Sequence, residues 1–337
     1  MTRRALIVGA GGWSRAWGRA IADSGEVTLA GWVDIAPGAA AAAVTDLALE
    51  GVTTGTDFGE VVDVARPDFV VNATTPSSHC DVTVKALESG LPVICEKPMA
   101  ESMDQAHRMV EASERTGKLL MISQQRSHDP KLVAMRGLIV GHIGPLGMLD
   151  CDFYHGHPEP GYHRGLRSAL LFDMAIHEFD AARVLSGADP VRVYCEDFNP
   201  PWSWHSSHGS ALAIFEMTGG LRFSYRGSWV SQGWDTTWES QWRAIGPHGT
   251  VLWDGDGDPV AETVMEPGAF PPRLRRVQGE VDAAALTGVP ASLHAFLGAL
   301  DTGIAPLGEC HDNIKTFAMA MGAIESAETG KRVDIKW

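Results

Sequence analysis

The sequence is poor in basic residues. Its 27 lysines and arginines stand against 42 aspartates and glutamates, which gives a formal net charge of −15 at pH 7. Nucleic acids and anionic membranes attract clustered Lys and Arg, so this balance argues against both as partners. Small substrates sense only the local field and are not restricted by the net charge.

Cysteines and long apolar runs are scarce as well. The five cysteines (80, 95, 151, 195 and 310) are odd in number and contain no Cys-x-x-Cys pair. This pattern predicts reduced thiols and a cytoplasmic location, not a disulfide framework or a structural zinc site. No apolar run approaches the roughly 20 residues of a membrane span. We find neither internal repeats nor a low-complexity tail.

A chain of 337 residues is long enough for two domains. Up to residue 124, short apolar runs alternate with helical patterns, which predicts a doubly wound parallel sheet of the Rossmann type over 1–124. The predicted strands are 5–9, 27–34, 69–72, 92–95 and 119–123, with helices at 13–24, 37–49, 57–65, 77–89 and 102–116.

The alternation stops after residue 124. The pattern that follows predicts an α+β domain over 125–337 with a large, mostly antiparallel open sheet. Its predicted extended segments are 146–157, 190–197, 210–217, 221–230, 237–245 and 250–253, with a last strand at 333–336. Its predicted helices are 131–140, 169–186, 290–302 and 311–329. The segment 255–276, rich in proline and glycine, is predicted to be an irregular loop.

A glycine-rich turn follows the first predicted strand. Gly9 permits a tight turn, and Gly11 allows a pyrophosphate to approach backbone N–H groups at a helix N-terminus. Ser14 stands where the pattern G-x-G-x-x-G has its third glycine. Such a turn alone is weak evidence for dinucleotide binding. The evidence is stronger here because the turn lies between a predicted strand and a predicted helix and an acidic residue ends the next strand.

That acid is Asp34, about twenty residues beyond the turn. A carboxylate there would accept both ribose hydroxyls of NAD and repel the 2′-phosphate of NADP. Ile35 and Ala36 follow it, and neither is basic. The sequence therefore favours NAD over NADP.

One predicted helix, 169–186, carries ionisable residues on a face that is otherwise apolar. At about 100° per residue, Asp173, His177 and Asp180 share one stripe. The helix alone leaves two interpretations: a core histidine paired with a neighbouring acid, or an acid–base His177 oriented by Asp173.

Four motifs in order resemble the Gfo/Idh/MocA family, named after glucose–fructose oxidoreductase, inositol dehydrogenase and MocA. They are the glycine-rich turn at 9–14, Ala-Thr-Thr-Pro…His at 73–79, Glu-Lys-Pro at 96–98 and Asp-x-Ala-x-His-x-x-Asp at 173–180. Ser14 and Ala175 depart from the usual glycines, and neither change removes a functional group.

The resemblance implies a catalytic trio of Lys97, Asp173 and His177 beside the nicotinamide. It also implies that the cofactor lies on the strand ends of the first domain and that the strand near 146–157 faces the substrate. The cofactor residues we expect are Gly9, Gly11, Gly12, Trp13, Ser14, Asp34, Ile35, Thr74, Thr75, Pro76, His79, Glu96 and Lys97. The substrate residues we expect are Lys97, Arg126, Tyr154, His155, His157, Asp173 and His177, with Arg164 a weaker candidate.

A metal site built from His155, His157 and the helix pair has no recognised ligand spacing, so no metal is predicted. Many tryptophans lie between residues 202 and 253. They could stack on sugar rings, but core or subunit contact is favoured, and we expect a homodimer or homotetramer formed through the second sheet. They are Trp202, Trp204, Trp229, Trp234, Trp238, Trp242 and Trp253.

These features predict an NAD-dependent dehydrogenase acting on a secondary alcohol of a sugar, sugar derivative or cyclic polyol. Three alternatives stay open. The family includes glycosidases that use bound NAD for a redox elimination, and a non-catalytic NAD(H)-sensing protein would keep the turn and Asp34 without needing the trio. An imine or enone reductase is the third.

Overall fold

Strands of three to seven residues, most of them apolar, build the first sheet. The computed structural model describes residues 2–156, 166 and 168–337. Six parallel strands lie in the order β3-β2-β1-β4-β5-β6, the doubly wound order of dinucleotide-binding folds. They are β1 (Arg3–Val8), β2 (Val27–Val33), β3 (Thr53–Gly55), β4 (Phe69–Asn72), β5 (Val93–Glu96) and β6 (Leu120–Ser123).

Five of these strands agree with the predicted ones to within two residues at either end, and β3 was not predicted. It has three residues, Thr-Thr-Gly, and none is fully buried. Its pairing with β2, from Gly31↔Thr53 to Val33↔Gly55, is therefore what makes it a strand. A hydrophobic pattern cannot reveal a strand that short.

Five helices connect the strands, at the predicted places. Two begin at residues whose side chains accept a hydrogen bond from the first turn: Asp57 from the N–H of Glu60 at 2.9 Å and Ser102 from that of Gln105 at 3.3 Å. The helices are α1 (Gly12–Ser24), α2 (Ala39–Asp46), α3 (Phe58–Ala65), α4 (Pro76–Glu88) and α5 (Met103–Thr116).

In the part of the chain that the structure describes, the second sheet has nine strands, and β7 with β10 is its one parallel pair. This confirms the predicted mostly antiparallel sheet. Among the described residues, two α-helices lie between β6 and β8: α6 (Pro130–Leu138) and α7 (Ala175–Ser186). A π-helical turn at Leu170–Met174 leads into α7. The strands are β7 (Met148–Tyr154), β8 (Pro190–Phe198), β9 (Ser210–Met217), β10 (Arg222–Ser228), β11 (Gln241–Gly246), β12 (Gly249–Trp253), β13 (Val260–Val264), β14 (Leu274–Gln278) and β15 (Val333–Asp334).

The prediction of an irregular loop over 255–276 was wrong. Strand β13 and the start of β14 lie within it, and they pair antiparallel from Val260↔Gln278 to Val264↔Leu274. Only the Pro- and Gly-rich residues 265–273 form the connection. The glycines and prolines of the flanks concealed an alternating pattern in which Ala261 and Thr263 point to the buried side.

The last two helices are α8 (Gly288–Thr302) and α9 (Cys310–Thr329). The chain divides into two compact units: the first holds the residues up to Gln125 together with Leu286–Ile314, and the second holds Arg126–Ala285 and Lys315–Trp337. The sequence had assigned 286–314 to the second domain.

Packing explains the assignment of α8 to the first unit. Its Phe296 ring lies 5.3 Å from that of Phe69, and Val289, Leu293 and Leu297 join the same buried apolar cluster. Burial of an aromatic ring and three aliphatic side chains stabilises this contact by several kcal/mol. The sequence could not predict this contact, because the hydrophobic pattern of α8 does not indicate which of the two cores the helix packs against.

Among the described residues, no helix is both long and apolar enough to span a membrane. All five cysteines are buried free thiols. The cytoplasmic location stays a prediction.

The turn after β1 yields the first test. Replacing Gly9 by Ala would place a Cβ 2.6 Å from the carbonyl oxygen of Ala73 at a φ of +98°. We expect a loss of about 3 kcal/mol in the free energy of unfolding, measured by urea denaturation. The matched control is Gly11→Ala, because a Cβ there meets nothing within 4 Å. Equal stability of the two variants would contradict the role given to Gly9.

Candidate active site

The glycine-rich turn lies at the carboxyl end of β1. The N–H of Gly9 donates to Val33 O at 2.8 Å, and the indole of Trp32 donates to Gly9 O at 2.7 Å. Ser14, in place of the third glycine, is buried in α1 and donates its hydroxyl to Ala73 O at 3.1 Å. The departure from the glycine pattern thus adds a hydrogen bond between α1 and the segment that follows β4.

This turn fits the pyrophosphate of a dinucleotide. Gly11 and Gly12 are exposed, and a Cβ at either would have nothing within 4 Å, so the space above the turn is open. The first N–H groups of α1 have no partner within the helix and carry its positive dipole end. Trp13, also predicted to contact the cofactor, is 55% exposed beside them.

Asp34 follows β2 and reaches back to the same turn. One carboxylate oxygen accepts the N–H of Ala10 at 2.7 Å and the other accepts the N–H of Ala36 at 2.8 Å. The side chain is therefore held at the edge of the turn, and each oxygen keeps a further lone pair for a ligand hydroxyl. Ile35, the next residue, is 91% exposed.

The polar turn after β4 is tied together internally. The hydroxyl of Thr74 donates to Asn72 Oδ1 at 2.7 Å, and Pro76 starts α4, with Thr75 exposed ahead of it. His79 is buried, with its Nδ1 2.8 Å from Pro98 O and its Nε2 3.2 Å from Thr74 O. Burial lowers the pKa of His79 to about 4. The neutral ring has one N–H, so it donates to one of these two carbonyl oxygens and packs its other nitrogen near the second. This position makes contact with the cofactor indirect at most.

Glu96 and Lys97 end β5. The Glu96 carboxylate is buried and accepts the indole N–H of Trp17 at 2.7 Å and the amide of Gln125 at 3.0 Å. Burial raises its pKa. Lys97 is half-buried at the carboxyl end of the strand, the edge at which ligands of such sheets bind.

Sequence reasoning missed two polar residues at the end of β6. Ser123 and Gln124 are buried, and neither the Ser123 hydroxyl nor either polar atom of the Gln124 amide has a hydrogen-bond partner among the described residues. Buried amides are normally satisfied, so these atoms mark a place where a ligand or water fits. Their position at a strand end was the only available signal.

In the second unit, Asp173 and His177 lie where α7 begins. Asp173 is buried in the π-helical turn and His177 is half-buried two residues into α7. The π turn changes the angle between them from that of an ideal α-helix. Asp180 serves the core: it accepts hydrogen bonds from the hydroxyls of Ser127 and, at 2.9 Å, Thr316.

Arg126 forms a buried ion pair. Its Nη1 lies 2.6 Å from Glu178 Oε1, which also accepts the hydroxyl of Ser240 at 3.1 Å. The Arg126 side chain is 15% exposed and that of Glu178 is 2% exposed. The pair links the segment after β6 to α7, and this accounts for Arg126 without a substrate.

His155 comes directly after β7 and packs among aromatic rings. Its ring stacks on Trp238, with centroids 3.9 Å apart and planes 17° apart, and its Nδ1 lies 3.7 Å from Asp235 Oδ2. Tyr154 is the last residue of β7 and is half-buried. His157 and Arg164 lie outside the described residues.

The seven tryptophans between 202 and 253 differ in burial, and Trp204 is half-buried. Trp229, Trp242 and Trp253 are buried, as the core interpretation predicted. Trp202 and Trp238 are about half exposed, and Trp234 is fully exposed. The exposed members leave a role in ligand or subunit contact open to test.

The first unit therefore has the fold and the strand-end chemistry of a dinucleotide-binding oxidoreductase. Two family models match the chain: the "Oxidoreductase family, NAD-binding Rossmann fold" over residues 3–124 and the GFO/IDH/MocA C-terminal domain over 133–252. The chain belongs to the Gfo/Idh/MocA family, which confirms the resemblance read from the motifs. The predicted NAD cofactor is confirmed by the same match.

Individual relatives agree. The rhizopine catabolism protein MocA of Rhizobium meliloti is 32% identical over 57% of this chain and 60% of its own length. An inositol 2-dehydrogenase of Arthrobacter sp. is 26% identical over 89% of both chains. The fold matches an Agrobacterium radiobacter oxidoreductase solved with NAD+, L-tartaric acid and magnesium, with a TM-score of 0.85, 22% identity and 99% and 98% of the two chains covered.

The buried ion pair predicts a pH-dependent effect of Arg126→Met. Burial raises the pKa of Glu178 from 4.5 to about 7, so this acid's contribution to stability is fully present below pH 4.5 and declines as the pH rises through 7. Near pH 5 Glu178 is mostly neutral and the variant should lose little. At pH 8 the unpaired acid should cost about 3 kcal/mol in the free energy of unfolding.

The control is Arg226→Met. Arg226 pairs with Asp152 on the exposed face of the second sheet, where its side chain is 58% exposed. Its loss should cost less than about 1 kcal/mol at pH 8. Equal losses for Arg126→Met at pH 5 and pH 8 would show that Glu178 does not titrate as described.

Proposed function

We propose that this protein is an NAD-dependent dehydrogenase that oxidises a secondary alcohol of a sugar, sugar derivative or cyclic polyol. The observation that carries the proposal is Lys97, placed at the carboxyl end of β5 on the sheet whose other strand ends form the dinucleotide cradle. The names of the relatives, inositol 2-dehydrogenase and a rhizopine catabolism protein, support a polyol-like substrate class.

Each member of the trio has its own task. His177, a half-buried imidazole, accepts the proton of the substrate hydroxyl. Asp173, buried one turn earlier, fixes the tautomer of that ring and stabilises the imidazolium. Lys97 donates a hydrogen bond to the reacting oxygen and stabilises its developing negative charge.

NAD, when bound, supplies the hydride acceptor, its nicotinamide C4. The turn from Gly9 to Gly12 would hold the pyrophosphate, and Asp34 would accept the ribose hydroxyls and exclude the 2′-phosphate of NADP. We also propose that Glu96 and the turn at Thr74–Pro76 border the nicotinamide ribose. Gln124 is an additional cofactor or substrate donor.

We propose that Tyr154, His155 and His157 contact the substrate. For Arg126 we propose a supporting role through its ion pair with Glu178. The stacking of His155 on Trp238 supports a rigid wall, because two aromatic rings in contact have little rotational freedom. Such a wall suits the apolar face of a sugar or polyol ring.

We further propose a homo-oligomer formed through the second sheet. One face of that sheet carries exposed apolar side chains from several neighbouring strands, a feature that marks interaction surfaces. They include Met148, Tyr194, Leu212, Ile214 and Leu252.

The proposed chemistry predicts a clear kinetic separation. His177→Ala should lower kcat by about 10²- to 10⁴-fold and leave the Kd for NAD nearly unchanged, because the imidazole acts on the substrate proton. Lys97→Met should lower kcat/KM by at least about 10²-fold. His142→Ala, at an exposed position of the second unit, is the control and should behave as wild type.

The assay is a panel of inositols, aldoses and sugar acids, followed by the absorbance of the reduced cofactor. Activity on a polyol or sugar that disappears in His177→Ala supports the proposal. Unaltered kcat in that variant would exclude the assignment. Cleavage of glycosides without net formation of NADH would indicate a redox-elimination glycosidase. Oxidation of NADH without activity on alcohols would indicate an imine or enone reductase. Binding of NAD(H) without turnover would indicate a sensor.

A further inference from the structure

A thiol, an imidazole and a carboxylate meet at the start of α9, in the first unit. Cys310 Sγ lies 3.1 Å from Glu309 Oε1 and 3.5 Å from His311 Nδ1, and those two atoms are 2.7 Å apart. No part of the proposed dehydrogenase chemistry uses these residues. Three such donors converging on one point form the ligand set of a borderline-soft divalent cation such as Zn²⁺.

The backbone holds the cluster against the edge of the first sheet. Ile122 N–H donates to Gly308 O at 2.7 Å, and Glu309 forms a bridge with Met121 of β6. Gly308 permits this approach, since a Cβ would lie 2.3 Å from Ile122 O at a φ of +83°. The three donors therefore project from a fixed strand–helix junction, not from a free loop.

A second carboxylate orients the imidazole. His311 Nε2 lies 3.1 Å from Glu114 Oε1 on α5. Both ring nitrogens lie against carboxylate oxygens, which accept hydrogen bonds, so each nitrogen carries a proton in this arrangement. A cation bound at Nδ1 displaces the proton shared with Glu309, and the Nε2 N–H keeps its hydrogen bond to Glu114. This carboxylate–histidine arrangement is the one that fixes metal-binding histidines in zinc proteins.

We propose that Glu309, Cys310 and His311 bind a zinc-type divalent cation, with water as the fourth ligand. In a tetrahedral zinc site the sulfur and nitrogen ligands are about 3.5 Å apart and nitrogen and oxygen ligands about 3.3 Å apart. The Cys310–His311 distance already matches. The Glu309 oxygen has to move away from His311 Nδ1 by about 0.6 Å and from Cys310 Sγ by about 0.4 Å. The side chains of Glu309 and His311 are 18% and 49% exposed, which gives the cation a path from solvent.

Deprotonation of the buried Cys310 thiol is the largest free-energy cost of forming this site. Burial raises the pKa of Cys310, while its place as the first residue of α9 exposes it to the N–H groups of a helix start, which favour a thiolate. A bound cation offsets the cost of the buried thiolate. Bound there, the cation connects α9 to the edge strand β6 and, through Glu114, to α5. Its role is to stabilise the first unit.

The sequence concealed this site, and we predicted no metal. Three adjacent ligands do not form a recognised spacing, and Glu114 is almost two hundred residues away. It also uses none of the histidines that the sequence analysis considered for a metal, His155 and His157.

The test is titration of the tag-free, metal-stripped protein with Co²⁺ and Zn²⁺. We expect one equivalent of Co²⁺ to produce a thiolate-to-cobalt charge-transfer band, Zn²⁺ to displace it, and Zn²⁺ to raise the Tm. Cys310→Ser should abolish the band. His311→Asn, at a half-exposed position that leaves the core intact, should weaken Co²⁺ binding at least tenfold, and Glu114→Gln by roughly 10- to 100-fold.

Matched controls separate this site from other thiols and imidazoles. Cys195→Ser removes another buried cysteine, and His107→Asn and Glu111→Gln change exposed residues of α5. All three should bind Co²⁺ like wild type. Absence of a charge-transfer band in wild type, or its persistence in Cys310→Ser or His311→Asn, would overturn the proposal. NAD turnover is a separate readout, so failure here leaves the dehydrogenase proposal standing.

Discussion

The close approach of the backbone at Gly9 to the backbone at Ala73 is the constraint on which the first unit depends. It brings the carboxyl ends of β1 and β4 together, and no residue with a side chain fits between them. Ser14 and Trp32 then fasten the turn to its surroundings with hydrogen bonds. The turn opens α1 directly above the sheet, where the helix N-terminus can receive an anion.

Around this turn, polar groups at the strand ends are ordered by contacts with one another. Asp34 accepts the N–H of Ala10, His79 joins the segments after β4 and β5, and Glu96 is fixed by Trp17 and Gln125. Residues that are held before a ligand arrives lose little entropy on binding. Several predicted cofactor residues thus hold one another in place, and Gly11 and Gly12 are exposed at the turn.

The sequence predicted the parallel sheet because its strands are buried on both faces and read as apolar runs, as in residues 69–72. It missed β3, whose status depends on β2, and β13, whose short alternation lies between glycines and prolines. It also assigned α8 to the wrong unit, because the ring of Phe69 that receives Phe296 is more than two hundred residues away. The local sequence pattern predicts that a helix or strand forms, but the element it packs against depends on residues that are distant in the chain.

The candidate site shows the same limit. Motif order identified the family and led us to propose the trio. The ion pair of Arg126 with Glu178 and the hydrogen bonds of Asp180 to Ser127 and Thr316 depend on tertiary contacts. The sequence predicted Arg126 as a substrate residue and placed Asp180 in the same motif as Asp173 and His177. Conversely, that the Gln124 side-chain amide has no hydrogen-bond partner among the described residues becomes evident only from the positions of the residues around it.

The central claim is that the carboxyl edge of the first sheet binds NAD through the glycine turn and Asp34. Calorimetric titration of the wild-type protein with NAD and NADP tests it most directly. The account predicts that NAD binds at least about tenfold more tightly, because Asp34 accepts the ribose hydroxyls and repels a 2′-phosphate. Equal or tighter binding of NADP, or no binding of either dinucleotide, would contradict it.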